Sequence, residues 1–454
     1  MQSHLDQSDL TQLAERLVAA ARRAGADQAD ALAVRSVSLA VEVRDGAVEE
    51  SERSEGDDLG LRVIVGHKQA VVSTNDLRGD GFDALAERAV AMARAAPDDR
   101  FAGLADVSQL ARDVAQEVAA LDLLDPEMPD VNLLEERARE AEAAGLAVRG
   151  VTKSGGASAS AGIGGLVLVT SHGFHGATIA SRHGISMTAI AGDGTGMERD
   201  YDFSSTLHAS DLENAQAIGR RAGERAVERL NPHKVTTRRV PVVFDSRISG
   251  SMVGHLASAA NGSSIARKTS FLREKLGEKI FASGIHIIDD PLRHRGLRSR
   301  PFDAEGIAGR SRHLVEDGVL KTWILDCTTA RELSLETTGH AQRGVSSTPS
   351  PGPSNLHMAP GGKSPDELIA DIADGFYITD MIGMGVNLVT GDYSRGASGF
   401  WIENGARTYP VSEVTIAGHL SEMFASLVPA NDLVFRYGTN APTLRVEGMT
   451  VAGQ

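Results

Sequence analysis

The chain opens with apolar residues at helical spacing. Leu10, Leu13, Leu17, Val18 and Ala21 recur behind a polar Ser8-Asp9 start, which predicts a first helix with one buried stripe. The period then changes to two. Val37, Leu39, Val41 and Val43 alternate with polar residues, and so do Leu61, Val63 and Val65, which predicts strands with one solvated face. An Asp-Gly step at 45–46 and Gly-His-Lys at 66–68 supply turns, and QAVVST returns the chain as an antiparallel meander. Helical spacing is predicted again from about Phe82 to Ala95 and from about Val131 to Ala144. The run GGASASAGIGG (155–165) predicts a turn between short strands, with two or three strands after it. A long helix is predicted from about 211 to 230, ended by Pro232.

Beyond Pro232 the pattern changes. Apart from a helix around Met252 and another at about 365–376, strand-like runs with glycine-containing turns dominate. They include GVLKTWILD (318–326), the stretch 385–418 and TLRVEGMTVAG (443–453). Helices and strands do not alternate strictly, so the pattern predicts an α+β fold, not a doubly wound parallel sheet. The expected division is an N-terminal helix and antiparallel-sheet domain over 1–232 and a β-rich domain over 233–454. A chain of 454 residues is long enough for more than one core.

Charge and cysteine content narrow the partners. A net charge of -15 argues against a nucleic-acid partner, which needs a basic stripe, and RHRGLRSR (293–300) reads as solvated surface and ion pairs. One cysteine, Cys327, excludes an intrachain disulfide and a cysteine-based zinc knuckle. No apolar run approaches the roughly 20 residues of a membrane span, and the first residues lack an apolar signal core. The expectation is a cytoplasmic protein with no membrane partner.

Candidate chemistry is sparse. The helix around Met252 contains GSMVGH, with His255 as its one histidine, and no His-Glu-x-x-His occurs in the chain. Ser251 and His255 are four apart and share a helix face, yet no acid is placed beside them and the G-x-S-x-G elbow is absent. His172 and His175 in HGFH are the closest histidine pair and read as polar residues of a strand turn. Asp289, Asp290, Asp303 and Glu305 offer carboxylates for acid–base work or a cation, in sequences that also suit turns. GMGVNLVTGDYSRGASG (383–399) lacks Gly-Lys-Ser/Thr and is no phosphate loop. STPSPGPSNLHMAPGG (347–362) suits an ordered functional loop better than a linker.

Three segments together carry a resemblance. VRDGAVEESERSEGDDLGLRVIVGHKQAVVST (43–74), IIDDPLRHRGLRSRPFDAEGIAGRSRHLVEDGVLKTWILD (287–326) and GDYSRGASGFWIENGARTYPVSEVTIAGHL (391–420) resemble the TldD/TldE (PmbA) family, in order and over nearly the whole chain. Within it the chain is similar to the TldE (PmbA) branch. The TldD branch carries His-Glu-x-x-x-His on the helix of GSMVGH and a late cysteine in a Gly-Thr-Cys context. The resemblance places those two histidines on Gly250 and His255, the glutamate on Ser251 and the cysteine on Asn440. Glycine has no ligand atom, serine is a poor base and an amide is a weak zinc ligand.

What the resemblance implies is the metal-free subunit of a heterodimeric zinc metallopeptidase. Zinc is then expected in a TldD-like partner and no cofactor in this chain. The substrates implied are unfolded or extended peptides, as in microcin-precursor maturation and antitoxin degradation. Tyr393, Ser394, Arg395 and Gly396 are candidates for a peptide- or partner-facing loop, or for a tight turn between strands. Two rivals stand beside this reading. One is an autonomous hydrolase using Ser251 and His255 or the Asp289–Glu305 carboxylates. The other is a non-enzymatic, homodimeric peptide-binding module.

Overall fold

The structure is a computed structural model that describes residues 7–453. Helix α1 (Ser8–Arg23) leads into a six-stranded antiparallel sheet of β1 (Gln28–Arg44), β2 (Ala47–Val65), β3 (Lys68–Thr74), β4 (Val151–Thr170), β5 (His175–Ala191) and β6 (Glu198–Thr206). The order across the sheet is β3-β2-β1-β4-β5-β6. Asp45 and Gly46 turn β1 into β2, both with positive φ (52° and 76°), as the Asp-Gly step predicts.

Residue parity sorts the two faces of this sheet. Ala29, Ala31, Ala33, Val41 and Val43 of β1 lie in the cores beneath α1, α2 (Phe82–Ala95), α3 (Val131–Leu146) and α4 (Ala215–Glu228). Asp30 and Leu32 therefore point to the opposite face, where Leu32 and Leu168 meet Phe302 from the C-terminal half. The expected turn at 155–165 is instead the middle of the 20-residue strand β4. Alternation survives there at small scale: Ala157, Ala159 and Ala161 are buried against Ala138, Ala141 and Ala222. Alanine, serine and glycine mimic turn composition, but here they let two helices sit close to the sheet.

The C-terminal half is built around a second six-stranded sheet. β7 (Arg238–Phe244) lies between strands Asp374–Ile382 and Leu444–Ala452, and strands Asp392–Glu403 and Ala406–His419 extend it. Ala406–His419 pairs with Leu444–Ala452 as well, so the sheet curls back on itself. Helix α5 (Ser246–Ala259) follows β7 and packs Met252, Val253 and Leu256 into this core. Two expectations fail locally. GVLKTWILD keeps only Val319–Leu320 as strand, and the helix at 365 stops at Ile369, because Asp374 begins a strand. Among the described residues no helix is long and apolar enough to cross a membrane.

Candidate functional site

Asp245 caps α5, its carboxylate accepting from the Arg247 amide at 2.9 Å. With Met252, Val253 and Leu256 committed to the core, Gly250 and Ser251 line a cleft of about 640 Å³. The cleft separates the edge of the first sheet from the C-terminal half. On β6, Asp202 and Asp200 bind Arg221 and Arg229 of and just after α4 at 2.6 and 3.2 Å. Strand alternation then turns Tyr201 and Phe203 into the cleft. Arg395, Tyr437 and Thr439 line it too, with the Tyr437 ring against Phe203 at a centroid distance of 5.3 Å.

Of the four positions singled out by the resemblance, Gly250 and Ser251 line the cleft, while Asn440 follows the lining residue Thr439 and His255 lies one turn further along α5. A Cβ on Gly250 would lie 2.8 Å from the Thr439 carbonyl oxygen, so this position has no room for a side chain without backbone movement. The Ser251 hydroxyl donates back to the Ile248 carbonyl at 2.7 Å. Asn440 accepts from the amides of Arg436 (3.0 Å) and Tyr437 (2.9 Å) and donates to the Tyr437 carbonyl (2.7 Å). Its amide thus pins the 436–440 turn against α5. His255 sits edge-on to Tyr393, with ring centroids 5.8 Å apart. Burial, and then the Arg395 charge, push its pKa down to about 4, so the imidazole is neutral at pH 7. Its Nε2 is buried without a hydrogen-bond partner among the described residues. One imidazole, a hydroxyl and an amide engaged with backbone do not fit a zinc site built on three protein ligands. Among the described residues no three His, Cys, Asp or Glu side chains are grouped to hold a metal ion.

The remaining candidates separate. Tyr393, Ser394, Arg395 and Gly396 lie on the strand Asp392–Glu403, not in a turn. Tyr393 is buried, Ser394 donates its amide to Gly385 at 2.7 Å, and Arg395 reaches the cleft. The carboxylates of Asp289, Asp290, Asp303 and Glu305 stay outside its lining. Asp289 is buried between the His340 ring (3.1 Å) and the Ser354 hydroxyl (2.6 Å). Asp303 accepts from the amides of Glu305, Ile307 and Ala341, while the Asp290 carboxylate accepts from the Leu292 amide. His175 stands at the β4–β5 turn, 3.0 Å from Glu15, away from any ligand-like cluster. The 347–362 run contributes no residue to the cleft lining, but it holds the segment that carries Arg298. Its Asn355 accepts the Arg298 amide at 2.9 Å.

Glu305 belongs to a buried acidic cluster in which burial raises the pKa of Asp303 and Asp326 as well. Its carboxylate accepts from the Cys327 amide at 2.7 Å. Burial, and then the neighbouring Asp303, raise its pKa to about 7 from an ordinary 4.5. A carboxyl raised in the folded state favours folding fully below its unfolded pKa. That contribution is lost as pH rises through the folded value, between about 4.5 and 7. Glu305→Gln, which keeps the acceptor, is therefore expected to flatten the fall in urea midpoint over that window. An unchanged pH slope would rule Glu305 out as its source.

Most of the cleft wall carries no signal in the sequence. Arg182, Tyr201, Arg247 and Tyr437 come from separate segments that no spacing rule joins. Two segments did carry a signal: the 393–396 candidates, whose Arg395 lines the cleft, and RHRGLRSR, whose Arg298 reaches it while Arg295 pairs with Asp122 at 2.6 Å.

The fold and site together define a class: an antiparallel sheet with helices on one face, joined to a curled β unit whose first helix borders the cleft. This is the architecture of the PmbA/TldD metallopeptidases, and the chain belongs to that family. Residues 29–93 match domain 1 of the PmbA/TldA metallopeptidases, 124–230 the central domain and 237–453 the C-terminal domain. It is 34% identical to the "Metalloprotease PmbA" of Escherichia coli over 94% of this chain and 93% of that one. A "Metalloprotease PmbA homolog" of Haemophilus influenzae is 33% identical, with 98% and 97% covered. Among solved structures, a putative modulator of DNA gyrase from Bacteroides thetaiotaomicron superposes with a TM-score of 0.90 at 28% identity, covering 98% of this chain and 99% of that one. TldE from Thermococcus kodakarensis shares the fold, with a TM-score of 0.85 at 19% identity over 97% and 100% of the two chains.

Proposed function

We propose that this chain is the metal-free subunit of a two-chain, cytoplasmic peptidase. A TldD-like partner supplies the zinc, and this chain walls a cleft that admits extended peptide. The observation that carries the reading is the donor set at Gly250, Ser251, His255 and Asn440. Gly250 contributes no ligand atom, and the Asn440 amide is committed to its own turn. Without a metal-bound water these residues contain no base positioned for peptide hydrolysis: the Ser251 hydroxyl is turned to the Ile248 carbonyl, and the His255 Nε2 has no hydrogen-bond partner among the described residues. What the chain itself contributes is shape and charge. The aromatic pair Tyr201 and Phe203 gives the cleft an apolar wall. Strand β6 is an edge of its sheet, where an extended peptide can be held by main-chain hydrogen bonds. Maturation of modified peptide precursors and turnover of labile proteins are the uses that such a site suits.

The relatives' name, metalloprotease, favours a second reading in which this chain cleaves by itself. Metal analysis and hydrolysis of an unfolded peptide, on the chain alone and mixed with a TldD-like partner, separate the two. The expected result is zinc and cleavage in the mixture only. Stoichiometric zinc with chelator-sensitive cleavage by the lone chain would instead establish the second reading.

A further inference from the structure

The cleft holds more positive charge than its carboxylates balance. Arg247 and Arg436 are paired, lying 2.8 Å from Asp200 and 3.1 Å from Asp202. Asp380, the one acid in the lining, is 3.5 Å from Arg229. Arg182, Arg298 and Arg395 also line the cleft, and none of them makes an ion pair among the described residues. Among the described residues Arg182 donates only to the Leu297 carbonyl, at 3.2 Å. The Nε of Arg395 is buried without a hydrogen-bond partner among the described residues, a state that costs free energy unless a ligand joins it. Arg298 lies across Gly438, where a Cβ would fall 2.0 Å from its Nε, so the glycine leaves the guanidinium room to reach over the cleft. These arginines come from β5, from the 293–300 run and from the strand Asp392–Glu403. A chain of net charge -15 gathers unpaired cations here against its overall composition.

Resting on the peptide-cleft reading above, we propose that the cleft takes a carboxylate of an extended peptide, bound by the guanidiniums of Arg182, Arg298 and Arg395. Guanidinium forks match a carboxylate in two parallel hydrogen bonds, and partial enclosure strengthens them. Tyr201 and Phe203 receive the neighbouring side chain, and the edge strand β6 aligns the backbone. The chain's acidity sets a peptide above a nucleic acid as the occupant. The carboxylate comes either from an aspartate or glutamate side chain or from the peptide's C-terminus.

The test uses the full chain and labelled, unstructured decapeptides with a central aspartate or asparagine, each with a free or an amidated C-terminus. Fluorescence anisotropy is expected to show about tenfold or tighter binding for the peptide carrying the recognised carboxylate. Loss on Asp-to-Asn exchange assigns a side-chain carboxylate, and loss on amidation assigns the terminus. Arg298→Gln with Arg395→Gln is expected to remove that preference, so that the acidic and neutral peptides bind this variant alike. Arg298 is exposed, so Arg298→Glu alone tests the idea without disturbing the core, and should favour a lysine peptide instead. Equal binding of all four peptides, or a preference that survives Arg298→Glu, overturns the carboxylate site while leaving the peptide cleft standing. Stronger binding of a single-stranded oligonucleotide than of any acidic peptide overturns it too. Binding of no peptide at all would sink the underlying cleft reading as well.

Discussion

Asp30→Ala should cost about 3–5 kcal/mol of folding stability, the range for breaking a buried ion pair from one side. Asp30 lies on β1, on the face turned away from α1 to α4. Its carboxylate takes two hydrogen bonds from Arg62, at 2.8 and 2.5 Å, and lies 2.6 Å from Arg343. All three side chains are at most 2% exposed. Despite that burial, the two guanidiniums hold the Asp30 pKa below the usual carboxylate value. The alanine variant would leave both arginines in the interior without their shared partner. Glu305 offers partial relief, because the charge of Arg62 reaches it and favours its ionised form. Arg343 belongs to the C-terminal half, so this cluster ties the two halves together. Its neighbour Val345 packs so closely on β2 that a Cβ on Gly60 would fall 1.9 Å from the Val345 carbonyl oxygen. Urea melts of Asp30→Ala, Arg343→Ala and the double variant measure the coupling. A loss below about 1 kcal/mol for Asp30→Ala would show that the pair carries little.

Gly219→Ala is expected to destabilise by about 2 kcal/mol, within the range for overpacking a close contact. The added Cβ would stand 1.8 Å from the Ala141 carbonyl oxygen, where α4 crosses α3. Gly223 and Gly145 meet at the same crossing, and a Cβ on Gly223 would reach the Gly145 oxygen at 2.8 Å. Backbone here packs on backbone, so no side chain can rotate aside. Gly254→Ala is the control with the opposite sign. It lies inside α5 with nothing within 4 Å of its Cβ, so alanine's helix preference should stabilise by up to about 1 kcal/mol. Equal midpoints for the two variants would remove the steric argument.

The element pattern was legible wherever one periodicity ran unbroken. Leu10, Leu17 and Val18 marked α1, Phe82 to Ala95 gave α2 with the observed ends, and Val37, Val41 and Val43 marked the inward face of β1. In β4 the same alternation was written in alanine, serine and glycine, whose contrast in hydrophobicity is too small to separate a strand from a turn. Trp323, Ile324 and Leu325 are strongly apolar and buried, yet they lie outside any named strand. Their burial comes from packing, which apolar runs alone do not distinguish from pairing.

By itself, the sequence determined the α+β class, the family and the residue types at the four positions around α5. A missing side chain at Gly250 and an amide at Asn440 are facts of composition, and no fold can add the ligands they lack. Only the tertiary structure decided what surrounds those positions. It turned the Asn440 amide to its own backbone and sent Asp289, Asp303 and Glu305 into the interior. It also drew Arg182, Arg298 and Arg395 to one cleft across more than 200 residues of chain. The physical reason is that local periodicity reports which face of an element is buried. Which distant charges then meet across a cleft is set by how the sheets and helices pack, and no local pattern records it.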